Sequence, residues 1–163
     1  MIMKLPTRKS PRLKGFDYST PSAYFVTICT HEKKKILGEI LSPIVGEGLC
    51  ALPKHTLTPI GKEVEVTIHY INHNEAKVAI TKYVIMPNHV HLIVELSDAG
   101  GDGTPPLQNI IGQIKSYSTK KYGGKLWQRS YHYHIIRDDA DYQKIWNYID
   151  TNPLKWEFDC FYK

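Results

Sequence analysis

Cysteine is scarce in this chain: there are three, Cys29, Cys50 and Cys160, far apart and with no Cys-x-x-Cys pair. That spacing argues against a structural zinc ribbon or a disulfide framework and favours a reducing compartment. Long apolar runs are missing as well. No stretch approaches the ~20 apolar residues of a membrane span, and the basic N-terminus is not followed by the apolar core of a secretory signal. A soluble, cytoplasmic protein without membrane partners is expected. Acidic residues are absent before Asp17, whereas Lys4, Arg8, Lys9, Arg12 and Lys14 precede it and Pro6, Pro11 and Pro21 interrupt them. Residues 1–22 therefore read as a flexible basic arm, with Arg12 and Lys14 as candidate phosphate contacts. The rest has the composition of a folded protein: with 42% hydrophobic and 23% charged residues disorder is not indicated, and 163 residues suit one domain. The net charge of +5 favours a polyanionic partner.

What is present is a clear succession of periodic segments. Residues 23–30 are β-branched and aromatic and read as a central strand; residues 36–57, broken by Gly38, Pro43, Gly46, Gly48 and Pro53, read as a small hairpin or irregular insertion. Thr58-Pro59 opens a helix whose stripe is Ile60, Val64, Thr67, Ile68 and Ile71, running to about residue 72. Residues 76–86 form a strand, Pro87-Asn88 a turn, and residues 89–96 the antiparallel return. Along that return His89 and His91 point to one face and Val90, Leu92, Val94 and Leu96 to the other, so two imidazoles are aimed at a common point.

A loop of Gly, Asp and Pro follows over residues 97–106. A second helix carries Leu107, Ile110, Ile111 and Ile114 and ends in a basic stretch before Gly123-Gly124. Residues 126–136 read as a loop entering a strand. The last helix starts at Asp138-Asp139 and buries Tyr142, Ile145, Trp146 and Ile149, while Tyr148 and Asn152 leave the core side by side. Pro153 is expected to disfavour helical geometry at Asn152 and fray that end. The order βαββαβ plus one helix predicts an α+β fold, a ferredoxin-like antiparallel sheet with two helices on one face. The histidines must then look away from those helices. A third helix laid on their side would bring Tyr148 to them.

Three blocks, Tyr83-Val84-Ile85-Met86-Pro87-Asn88-His89-Val90-His91-Leu92-Ile93-Val94, Leu126-Trp127-Gln128-Arg129-Ser130-Tyr131 and Tyr148-Ile149-Asp150-Thr151-Asn152-Pro153-Leu154-Lys155, are held in order. In these the sequence resembles the REP-associated tyrosine transposases, within the single-tyrosine HUH (IS200-like) superfamily. The likeness covers residues 24–156 and is most specific at His89-Val90-His91. It implies a DNA transposase that cuts single-stranded DNA beside a palindromic hairpin. Tyr148 on the final helix would be the nucleophile, forming a 5′-phosphotyrosine, and Mg²⁺ or Mn²⁺ would be held by His89, His91 and Asn152. Related insertion-sequence enzymes usually carry Gln where this chain has the shorter Asn152. The resemblance fits either a monomer or a homodimer.

Rival assignments remain beside that reading. His132 and His134 also alternate, and His134 and Glu95 are candidates for support behind the metal ligands. Tyr117, Tyr122 and Tyr142 are alternative nucleophiles. Lys115, Lys120, Lys121, Arg129 and Arg137 are candidate DNA contacts. Hydrolases of the His-x-His-x-His type are disfavoured because the third position is Ile93. A catalytically silent protein binding hairpin DNA or RNA on the same fold is the alternative function.

Overall fold

The computed structural model describes residues 22–41, 54–97 and 106–162. The expectations for the basic arm with Arg12 and Lys14, for Cys50 and for most of the loop at 97–106 lie outside them. In chain order the elements are β1 (Ser22–Cys29), β2 (Gly38–Leu41), β3 (Lys54–Leu57), α1 (Pro59–Asn74), β4 (Val78–Ile85), β5 (His89–Leu96), α2 (Leu107–Tyr122), β6 (His132–Ile136) and α3 (Asp139–Thr151). The fold is α+β. Four strands pair in the spatial order β4-β5-β1-β6 with every neighbour antiparallel, which is the strand order of a ferredoxin-like sheet. The segment read as a hairpin or insertion contributes the separate pair β2-β3.

Period-two alternation divides the sheet into two faces. Val26, Ile28, Val90, Leu92 and Val94 pack against Val64, Ile68 and Ile71 of α1 and Ile110, Ile111 and Ile114 of α2, forming the main core. On the opposite face Val84 and Ile93 meet Ile145 and Ile149 of α3 and Trp156, forming a second, smaller core. The histidine strand is therefore sandwiched, and both His89 and His91 are essentially inaccessible to solvent.

Helix ends follow the residue chemistry. The Thr58 hydroxyl accepts the Gly61 N–H at 3.2 Å and donates to the Ile36 carbonyl at 2.7 Å, capping α1 while tying down the preceding segment. Gly123 closes α2 with φ of 73°, a left-handed conformation glycine adopts without strain. Asp138 caps α3 by accepting the Asp141 N–H at 2.8 Å. The far end of α3 departs from expectation. Asn152 keeps helical angles (φ −58°, ψ −45°) despite Pro153, because the chain runs on into a tight helical turn, Pro153–Phe158, anchored by buried Trp156.

Candidate active site

The turn before β5 builds the first half of the site. Asn88 is fully buried, and its Nδ2 donates to the carbonyls of Phe161 (2.6 Å) and Lys33 (3.3 Å). Those bonds orient the amide, so its Oδ1 faces His89 Nδ1 at 2.8 Å and accepts the ring N–H. The proton of His89 is thereby held at Nδ1 and the lone pair at Nε2. Lys33 reaches Asn88 through a turn in which Glu32 and Lys33 both adopt positive φ (56° and 54°), a strained pair for non-glycine residues. His91 lies directly across from Thr27 of β1, with its Nδ1 2.8 Å from the Thr27 hydroxyl and its ring stacked on Phe25.

The two imidazoles converge, with Nε2 to Nε2 at 3.0 Å. Burial pushes His89 down to about 3, with help from the Lys33 charge; burial and the neighbouring His89 do the same to His91, against the pull of Asp159. Both are therefore neutral at physiological pH and can act as ligands. Asp159 approaches from the C-terminal segment, its Oδ2 3.9 Å from His89 Nε2, and the three side chains form a group able to hold a metal ion. Asn152 lies one hydrogen bond behind, its Nδ2 donating to Asp159 Oδ2 at 2.8 Å. Its own Oδ1 is buried and has no hydrogen-bond partner among the described residues. Two neutral imidazoles, a carboxylate and the orphaned amide oxygen of the residue bonded to that carboxylate make a donor set that fits a divalent cation. The expected ligands His89, His91 and Asn152 thus share the site with Asp159, which sequence reasoning missed. Asp159 carries no periodic signal in the aromatic-rich segment over residues 156–162, and only the turn after Pro153 returns it to the histidines.

Tyr148 completes the cluster. From α3 its phenol oxygen lies 3.3 Å from His91 Nε2 of the same chain, and the residue remains 40% exposed, open to an incoming substrate. Burial, then the charges of Asp159 and Cys160, lift the phenol to about 12, while a hydrogen bond with Asn152 pulls the other way. Both ends of α3 are pinned to β4: Tyr142 bonds Thr81 (3.1 Å) and Glu95 (2.8 Å), and Lys82 pairs with Asp150 while lying over Trp146.

The remaining candidates sit elsewhere. Glu95 accepts from Tyr142 and Thr81, four residues along β5 from His91 and so roughly 13 Å away at strand rise. His134 pairs with Asp141 at 2.6 Å. Neither is bonded to the imidazole pair. His132 is exposed on the β6 edge, opposite Thr27. Lys115 donates to the carbonyls of Gln128 (2.8 Å), Arg129 (3.4 Å) and Ser130 (3.1 Å), so its ammonium braces the loop before β6. Lys120, Lys121, Arg129 and Arg137 are exposed, with Lys121 3.9 Å from Glu63. Of the alternative nucleophiles, Tyr142 is tied to Glu95, and Tyr117 and Tyr122 lie on α2 across the sheet.

No protein-family model matches the chain. An uncharacterized protein of Haemophilus influenzae is 31% identical over 177 residues, covering 95% of this chain and 93% of that protein. The REP-associated tyrosine transposase of Escherichia coli K12 is 30% identical over 94 residues, covering 52% of this chain and 54% of its own length. A solved structure of a REP-associated tyrosine transposase bound to a REP hairpin shares the fold, with a TM-score of 0.62 and 20% identity over 88% of this chain and 74% of that one. Over about half of its length the chain is similar to the Escherichia coli REP-associated tyrosine transposase, and it shares its fold with the solved one.

Proposed function

We propose that this protein is a metal-dependent single-stranded DNA endonuclease and strand transferase that cuts beside a hairpin, with Tyr148 as nucleophile. The observation that supports it most is the Tyr148 phenol lying 3.3 Å from Nε2 of His91, in a pair of buried, neutral imidazoles. His89, His91, Asp159 and Asn152 would hold Mg²⁺ or Mn²⁺. When bound, the cation supplies Lewis acidity at the scissile phosphate and offsets the burial that disfavours the phenolate. The chain's own groups do the rest. Tyr148 attacks phosphorus, the bond to the 3′ oxygen breaks, the phenolic proton leaves to solvent and the 3′ oxygen takes one up. A 5′-phosphotyrosine and a free 3′-hydroxyl result, and because the ester bond is conserved, a second 3′-hydroxyl can reverse the step. Phe25, edge-on to its ring, and the contact with His91 keep the phenol aimed. The exposed Lys120, Lys121, Arg129 and Arg137 are proposed phosphate contacts.

Incubation with hairpin-bearing single-stranded DNA and Mn²⁺ is expected to give a covalent adduct resolved by denaturing electrophoresis, lost with Tyr148→Phe or with chelator. An adduct surviving Tyr148→Phe would remove that residue from the role. Hairpin binding with no adduct under any metal would instead establish the silent binding protein.

A further inference from the structure

Asn88 leaves His89 one tautomer, but His91 has two. Its Nδ1 faces the Thr27 hydroxyl at 2.8 Å and its Nε2 faces His89 Nε2 at 3.0 Å. His89 presents a lone pair there, because its ring proton is held at Nδ1 by Asn88 Oδ1. A second lone pair at 3.0 Å would repel it, so without a cation His91 carries its proton on Nε2 and donates it to His89. Its Nδ1 is then an acceptor, and the Thr27 hydroxyl donates.

A cation held through the Nε2 atoms of both histidines would require both lone pairs. The Nε2 proton of His91 must leave to solvent while another is taken up at Nδ1, so the ring stays neutral throughout. Thr27 must then accept where it formerly donated. A hydroxyl serves both states by rotating its hydrogen, whereas a carboxylate only accepts and an ammonium only donates. The stack of Phe25 on His91, with centroids 5.2 Å apart and planes 29° apart, holds the ring with Nδ1 at Thr27 and Nε2 at His89, against a flip that would put ring carbons in both places.

We propose that Thr27 is a positioning residue that lets His91 change neutral tautomer as the metal site fills, while Asn88 keeps His89 fixed. This rests on the metal-centre reading above. An alternative proton placement has the Tyr148 phenol donating to His91 Nε2 with the ring proton already at Nδ1, and it leaves the two lone pairs facing each other at 3.0 Å.

The test uses the full chain labelled with ¹⁵N-histidine and long-range ¹H–¹⁵N correlation spectra, metal-free and then saturated with Zn²⁺ as a diamagnetic probe. The expected metal-free spectrum has His89 protonated at Nδ1 and His91 at Nε2; with Zn²⁺ both are protonated at Nδ1. Thr27→Val keeps the strand's β-branched shape and is expected to weaken Mn²⁺ binding ~10–100-fold, with Thr27→Ser restoring it to within about threefold. His91 already protonated at Nδ1 in the metal-free protein overturns the inference, as does unchanged affinity in Thr27→Val. Should that variant fail to fold, the wild-type spectra decide alone. Absence of Mn²⁺ and Zn²⁺ binding by the wild type overturns the metal-centre reading itself, whereas binding with no tautomer change overturns only the role of Thr27.

Discussion

Protons compete directly with the fold for His89 and His91. In the unfolded chain each imidazole binds a proton below about pH 6.5, while in the folded, metal-free protein burial holds both near 3. Between those values the unfolded state binds more protons, so stability is fully present above about pH 6.5 and is lost as the pH falls through that window. At pH 5 each histidine accounts for about 2 kcal/mol of that loss. The urea midpoint of the metal-free protein is expected to drop between pH 7 and pH 5, and a double His89→Gln, His91→Gln variant to flatten the dependence; an equally steep curve in the double variant would assign it to other groups. The histidine pair was legible in the sequence because alternation at period two is a local property. The partners of the pair were not. Thr27 faces His91 only through the β1–β5 register, and Asp159 arrives only through the turn after Pro153, neither of which a local pattern encodes.

At the scale of elements, one glycine decides how α1 meets the segment that leads to the site. A Cβ built on Gly61 would lie 1.9 Å from the Leu37 carbonyl oxygen, a backbone atom that cannot swing aside. Leu37 in turn donates its N–H to the Pro87 carbonyl at 2.9 Å, directly before Asn88. Gly61→Ala is expected to destabilise by at least the ~1–3 kcal/mol typical of overpacking, read as a lowered urea midpoint. Gly112 on the open face of α2, where nothing lies within 4 Å, is the control: Ala there should stabilise by about 0.5–1 kcal/mol. A neutral Gly61→Ala would show that α1 slides freely over Leu37. Helical stripes, the cap at Thr58 and the acidic start of the last helix at Asp138 were readable in advance, since apolar spacing and helix-end chemistry are local. The helical end at Asn152 was misread, because burial of Trp156 overrides the preference of a residue before proline.

Over the whole molecule, the proposed nucleophile and the imidazoles meet within one chain. Among the described residues no helix is long and apolar enough to cross a membrane. With Tyr148 3.3 Å from its own His91, each copy of the protein would carry a complete site. An equimolar mixture of Tyr148→Phe and His91→Ala proteins is therefore expected to form no more DNA adduct than either variant alone. Recovery of adduct in the mixture would mean that sites are shared between copies.

The bonds that assemble the site also span most of the chain. Thr27 to His91 closes 64 residues, Tyr148 to His91 closes 57, and Asn88 to Phe161 closes 73. Contacts of such sequence separation carry the entropy cost of closing long loops, which slows folding. A chain still emerging during synthesis carries its histidine pair before it carries the proposed nucleophile, Tyr148. In the proposed mechanism a chain cut short before residue 148 would therefore hold the histidine pair and yet have no means of cutting DNA by this route.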